Sequence, residues 1–143
     1  MKLIAIILCS VFLGKGCSAT TQNDLEKATI EYVANTRGFY QKITIQNKKL
    51  YVSKDRNAID KGAVSDIDDN SWKTLIGYFD TLDLETLANH KAPSEKRFYD
   101  GAAIANLKII YKDKTYISAS FDHGNPPVAF AALVNKIVSF TNE

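Results

Sequence analysis

The apolar residues of this sequence recur with two different spacings, and this change constrains the fold more than any other feature. From Ala28 to Asp55 apolar and polar residues alternate, which is typical of strands that bury one face. Around Trp72 the apolar residues recur every third or fourth position, as on one side of a helix. Alternation returns after Ile104, and the helical spacing returns after Val128. The predicted order of elements is therefore β-β-β-α-β-β-α.

Short polar connections join the predicted strands, so neighbouring strands should form antiparallel hairpins. The first helix, Ser71–Leu82, would be capped by the side chain of Asp68, Asp69 or Asn70. We predict an α+β fold, with an antiparallel sheet of about five strands and two helices packed on one face. Strands are expected at residues 28–35, 39–46, 50–55, 104–112 and 115–121, the last burying Ile117, Ala119 and Phe121, and the second helix at 128–141.

Residues 1–19 are typical of a secretory signal peptide. Lys2 supplies the positive start, and Leu3–Leu13 is apolar apart from a single serine. This stretch is too short to span a membrane, which takes about 20 residues. A polar tether is predicted over residues 20–27, and residues 28–143 are predicted to form a single α+β domain.

Two cleavage sites compete at the end of this signal. Cleavage before Cys17, after the small residue Gly16, is typical of a bacterial lipoprotein, whose acylated cysteine anchors the domain to a membrane surface. The alternative is ordinary cleavage after Ala19. Either cleavage removes Lys2 and Lys15, two of the 18 basic residues, and leaves 16 beside 16 acidic ones. We favour lipidation at Cys17 and expect an exported protein of the cell envelope.

The charge balance and the shortage of ligating residues exclude several classes of function. A chain without a strong positive field is not expected to bind nucleic acid. Its two histidines, His90 and His123, are too few for a typical zinc site. The acidic segment 66–70 is not followed by the glycine and glutamate of a calcium-binding loop, and helix capping explains it better. We expect no metal or cofactor, and contact with a membrane only through a lipid anchor at Cys17.

The hairpin predicted at Asp113-Lys114 brings the start of one strand beside the end of the other. Asp100 and Asp122 should therefore lie close together at one end of the sheet. Arg37, at the tip of the first hairpin, could bind a carboxylate or phosphate with two parallel hydrogen bonds, although a solvated arginine is the competing explanation. The predicted binding surface comprises Arg37, Arg97, Tyr99, Asp100, Asp122 and His123.

Two other functions compete with binding. In a small hydrolase, His123 would act as a general base oriented by Asp100 or Asp122. The nearby hydroxyls of Ser118 and Ser120 are expected to face away from the core, and no nucleophile elbow is recognisable, so we assign no catalytic residue. The competing structural explanation is that Asp122 and His123 end the strand and that Asp122 or Asn125 caps the last helix. In a protease inhibitor, the hairpin tip at residues 36–38 would instead enter the protease cleft.

Three segments of the chain carry a resemblance. Tyr32–Tyr40 (YVANTRGFY), Arg97–Ala103 (RFYDGAA) and Phe121–Gly124 (FDHG) together resemble small exported proteins of Bacteroidetes, especially flavobacteria. The likeness extends over most of the chain after the signal peptide. It implies an envelope location and brings no activity, cofactor or catalytic residue. We therefore expect a non-enzymatic domain that binds an envelope protein, a peptide or a glycan.

Overall fold

The computed structural model describes residues 24–142. The predicted signal peptide, both cleavage sites and Cys17 lie outside this range. Residues 24–27, which the sequence assigns to the tether, are helical, and the side chain of Leu25 is buried in the core. Within the described residues, no helix is both long and apolar enough to cross a membrane.

One antiparallel sheet contains seven strands. They are β1 (Thr29–Thr36), β2 (Phe39–Gln46), β3 (Lys49–Ser53), β4 (Ala63–Asp66), β5 (Ile104–Tyr111), β6 (Lys114–Ile117) and β7 (Phe121–Asp122). Their order across the sheet is β4-β3-β2-β1-β5-β6, and β7 pairs with β5. The predicted α+β class and antiparallel sheet are confirmed. The sequence does not predict β4, whose four residues are all exposed and therefore show no apolar alternation.

Beyond the helical residues 24–27, the part of the chain that the structure describes contains two α-helices and three short 3-10 helices. They are α1 (Asp69–Asp80), η1 (Leu84–Asn89), η2 (Lys96–Tyr99), η3 (Val128–Phe130) and α2 (Ala131–Ser139). Of the three predicted caps for the first helix, Asp68 is the one used, because its side chain accepts a hydrogen bond from the amide of Ser71. The predicted second helix begins as the separate η3 and becomes α-helical only at Ala131.

The helices cover one face of the sheet and leave the other without helices, so that charged residues lie there beside exposed apolar ones such as Ile104 and Ile117. On the covered face, alternate residues of β1, β2 and β5 are buried with the apolar sides of α1 and α2 in one core. On the opposite face, which we call the outer face, Glu31 lies between Lys42 (3.5 Å) and Lys108 (3.1 Å). Residues 54–62 fold back over part of this face, where Arg56 and Lys61 donate hydrogen bonds to β1 and β2 side chains.

A β-bulge separates β6 from β7. The Ser118 amide donates to the Leu107 carbonyl, whereas Phe121 pairs with Ala105, so two residues lie opposite one on β5. The extra residue reverses the alternation along the strand. The predictions that Ile117, Ala119 and Phe121 share the buried face, and that Ser118 faces away from the core, are wrong. Ile117 and Ala119 are exposed, Ser118 is buried, and only Phe121 faces the core as expected.

Candidate functional site

The residues predicted to form a binding surface lie around the β1–β2 turn, but they divide between its two sides. Asp122 pairs with Ile104, whose exposed side chain belongs to the outer face. His123, the next residue, contacts the side chain of Tyr32 in the core. Because successive strand residues face opposite sides of a sheet, the side chain of Asp122 lies on the outer side and that of His123 on the core side.

The Asp122 carboxylate is buried and fixes the segment that contains η2. It accepts hydrogen bonds from the Ser94 hydroxyl (2.5 Å), from the amides of Lys96 (2.8 Å) and Arg97 (3.0 Å), and from the Arg97 guanidinium (3.2 Å). Arg97 also donates to the Ser94 carbonyl and the Ser120 hydroxyl. The side chains of Arg97 and Asp122 are only 8% and 2% exposed, so this ion pair is part of the interior.

The surroundings of Asp122 hold its carboxyl group in the charged form. Desolvation by burial raises its pKa, but hydrogen bonds from Ser94, Arg97 and Lys96 outweigh burial and hold the pKa well below the usual range. Asp122 does not cap the last helix, because its oxygens already accept bonds from residues 94–97. This role cannot be predicted from the local sequence, since the partners are at least 25 residues away.

An arginine groove of about 270 Å³ opens beside this network on the outer face. It is lined by Arg37, Arg56 and Arg97 from three separate segments, with Asp100 and Ile104 at its wall. Arg56 is held in place because it donates hydrogen bonds to the side chain of Asn35 and the carbonyl of Thr36. The sequence predicts Arg37, Arg97 and Asp100 as neighbours, whereas Arg56, in the loop after β3, was missed.

The remaining predicted residue of the outer side, Tyr99, is exposed next to the arginine groove. It ends η2, and its neighbour Phe98 is also exposed, at 70% against 72% for Tyr99. The guanidinium carbon of Arg97 lies 4.2 Å from the centre of the Phe98 ring. Asp100 follows with a left-handed backbone and turns the chain back towards β5. Two exposed rings therefore belong to the segment that contributes Arg97 and Asp100 to the arginine groove.

On the core side of the turn, His123 forms a buried pair with Tyr32. The Tyr32 hydroxyl and His123 Nδ1 are 2.7 Å apart, and the imidazole also packs against the ring of Phe39 at 5.6 Å. Burial raises the pKa of Tyr32 above its ordinary value and lowers that of His123, so both groups are neutral near pH 7. Among the described residues, His123 makes no hydrogen bond to a carboxylate; its ring partner is a phenol.

A second depression, the histidine groove, lies against His123 on this side and has a volume of about 490 Å³. Phe39, Tyr40, Gln41 and Lys54 line it together with His123 and the C-terminal end of α2. The sequence predicts His123 as a site residue but gives no signal for Gln41 or Lys54. These two residues come close to His123 only because β2 pairs with β1 and β3 in the folded sheet.

Comparisons with protein-family models, with curated proteins and with solved structures gave no match to this chain. Among residues 24–142, no group of three or more histidine, cysteine, aspartate or glutamate side chains could hold a metal ion. The acidic residues around 66–69 have other roles: Asp68 caps α1, while Asp66 and Asp69 form ion pairs with Lys49 and Lys48.

Proposed function

We propose that this protein is a non-enzymatic binding domain that recognises an anionic group on an envelope protein, a peptide or a glycan. The observation that carries the proposal is the arginine groove, where guanidinium groups from three segments line one opening. Planar guanidinium groups suit carboxylates and phosphates because they can donate two parallel hydrogen bonds. The exposed rings of Phe98 and Tyr99 add apolar contact area beside the charged site.

The three arginines contribute differently to this binding. The charge of Arg97 is balanced by Asp122, so its role is to shape the wall of the arginine groove. Arg56 donates only to neutral oxygens and keeps its positive charge available. Arg37 is exposed and, within residues 24–142, makes neither a hydrogen bond nor a salt bridge. Arg37 is therefore the residue best placed to bind the anionic group directly.

The geometry supports binding over the alternative of a hydrolase. The oxygens of Asp122 accept hydrogen bonds from residues 94–97, and Nδ1 of His123 is paired with Tyr32. The candidate nucleophiles are occupied as well, because Ser118 accepts from the Leu107 amide and Ser120 accepts from Arg97. A base, an orienting carboxylate and a free hydroxyl do not come together among these side chains.

Calorimetric titration tests the role of Arg37. The ligands are an oligoglutamate peptide and an oligogalacturonate, each compared with an uncharged counterpart, oligoglutamine or the methyl ester. We expect the charged ligands to bind more tightly, and Arg37→Ala to weaken their binding about 10-fold, or about 1.4 kcal/mol. Arg37→Lys should recover only part of the affinity, since an ammonium group cannot donate two parallel bonds.

Lys73→Ala is the matched control, because Lys73 is an exposed cation on α1 outside the arginine groove. It should leave affinity unchanged. Equal affinity for charged and uncharged ligands, or equal losses in the Arg37→Ala and Lys73→Ala variants, would remove the proposed site.

We also propose that the protein is exported to the cell envelope and anchored there by acylation of Cys17. The signal-like N-terminus and the resemblance to exported Bacteroidetes proteins support this location. Mass spectrometry of the mature protein should find an acylated Cys17 as the first residue. An unmodified Thr20 at the N-terminus would show that ordinary cleavage after Ala19 is correct and that the lipid anchor is absent.

A further inference from the structure

The histidine groove contains a buried polar side chain that has no partner. Gln41 is only 6% exposed, yet among residues 24–142 its side-chain amide makes no hydrogen bond. It points to the core side of β2 and lines the histidine groove. Its amide atoms are reached by solvent from the histidine groove, since among the described residues Nε1 of Trp72 is the one enclosed side-chain atom without a partner. They are therefore available to bond a molecule in the groove.

His123 presents a second hydrogen-bonding group to the histidine groove. The Tyr32 hydroxyl is fully buried, and within the described residues Nδ1 of His123 is its only acceptor. We therefore assign the phenol as donor and Nδ1 as acceptor, which places the ring proton on Nε2. Among the described residues Nε2 makes no hydrogen bond, so its N–H is available to a molecule in the histidine groove, which His123 lines.

The charge of the lining is positive. Lys54 is exposed at the wall and, within residues 24–142, forms no salt bridge, and no aspartate or glutamate belongs to the lining. Thr141 contributes a hydroxyl, which can both donate and accept hydrogen bonds. Phe39 presents part of an aromatic ring, since it is 39% exposed.

We propose that the histidine groove binds a sugar acid, a ring that carries hydroxyl groups and one carboxylate. Lys54 would pair with the carboxylate, Gln41 and Nε2 of His123 would bond the hydroxyl oxygens, and the ring would pack on Phe39. A volume of about 490 Å³ is in the range of small-molecule sites and is large enough for a monosaccharide. This site goes beyond the proposed function, because it lies on the other side of the β1–β2 turn from the arginine groove.

Titration of the full chain with galacturonate, followed by NMR of the histidine Cε1 protons, tests the site. The chain has two histidines, so the signal of His90, whose Nε2 lies near the Thr86 hydroxyl, is an internal reference. We expect a saturable shift of the His123 signal with no shift of His90. Galactose, which has no carboxylate, should bind at least about 10-fold more weakly.

The His123 signal distinguishes this site from the arginine groove, because His123 lines only the histidine groove of the two. By this signal, Lys54→Met and Gln41→Met should each weaken galacturonate binding about 10-fold, while Lys73→Ala, whose cation lies outside both grooves, leaves it unchanged. Lys54 is exposed, so its variant should fold even if the buried Gln41→Met does not. An absent His123 shift, equal shifts with galactose, or unchanged affinity in Lys54→Met would overturn the proposal. An equal loss in Lys73→Ala would overturn it too, since the attraction would then be to the overall charge of the protein and not to the lining of the histidine groove.

Discussion

Replacement of Asp122 by asparagine is expected to lower the melting temperature by about 10 °C or more. The asparagine side chain has nearly the same shape, but its amide nitrogen cannot accept hydrogen bonds. Only one of the two oxygens remains, so either the Ser94 hydroxyl and the Lys96 amide, or the amide and guanidinium of Arg97, would lose their acceptor. In either orientation the buried Arg97 cation would lose its counter-charge. Unpaired buried donors and charges are among the few mechanisms that give large losses of stability.

The same variant should change how stability depends on pH. Because the pKa of Asp122 lies below its ordinary value of 3.8, its contribution to the free energy of unfolding is complete above that pH. The contribution disappears as the pH falls from 3.8 towards the folded pKa. The pKa of His123 is lowered from 6.5, so its contribution is present above pH 6.5 and is lost as the pH falls through its folded pKa. The wild-type protein should therefore lose stability in two ranges. Asp122→Asn should lose the same amount in the upper range and less in the lower one, where Asp66, Asp68, Asp69 and Glu85, whose pKa values are also lowered, still contribute.

Thermal denaturation across this pH range is the measurement, and Asp80→Asn is its control. Asp80 is exposed at the end of α1, so its replacement should leave the melting temperature and the pH profile nearly unchanged. A melting temperature of Asp122→Asn equal to that of Asp80→Asn would contradict the structural role of the network. In Asp122→Asn the segment that carries Arg97 should open more often, so amide hydrogen exchange at residues 94–99 should be faster than in the wild-type protein.

Gly62→Ala is expected to destabilise the protein by about 3 kcal/mol. Gly62 has a φ of +88°, and a Cβ atom added there would lie 2.2 Å from the Val52 carbonyl oxygen. That oxygen belongs to the backbone of β3, so it cannot move without disturbing the hydrogen bonds that pair β3 with β4. Chemical denaturation would give the loss of stability, and faster hydrogen exchange in β4 would locate it.

Gly124→Ala is the matched control for this effect. Gly124 also has a positive φ, +90°, but nothing lies within 4 Å of the added Cβ. Its replacement therefore carries only the conformational penalty, about 1–2 kcal/mol. Equal losses in the two variants would show that the contact with Val52 contributes nothing and that backbone conformation explains the whole effect.

Most of the fold could be predicted because apolar and polar residues alternate clearly along β1, β2 and β5, which puts the apolar ones on one face of the sheet. Prediction from apolar alternation failed in the two strands where buried and exposed residues do not alternate regularly. The fully exposed β4 is held only by its pairing with β3, and the bulge before β7 reverses the alternation after Ser118. Neither feature leaves a local pattern, because both depend on hydrogen bonds to another strand.

The candidate site could be predicted as a region but not as a set of contacts. The predicted hairpin is displaced by one residue, because the turn is formed by Lys112 and Asp113. The pairing of Ile104 with Asp122 nevertheless brings the start of β5, which follows Asp100 in the chain, beside Asp122. The sequence could not reveal that both oxygens of Asp122 accept hydrogen bonds from residues 94–97. It also could not reveal that His123 is hydrogen-bonded to Tyr32 rather than to a carboxylate. Tyr32 alternates like any core residue of β1, and its hydroxyl becomes a partner only through the tertiary fold.

The central position of β1 has a consequence for how the chain reaches its native state. One neighbour of β1 is β2, which follows directly, whereas the other is β5, and the contact between Tyr32 and His123 spans 91 residues. Until β5 is in place, β1 has an open edge with alternating apolar side chains, which is a template for pairing with other chains. Distant pairing of this kind slows folding and prolongs that exposure. The strand that is best protected in the native sheet is therefore the one most liable to aggregate before the sheet is complete.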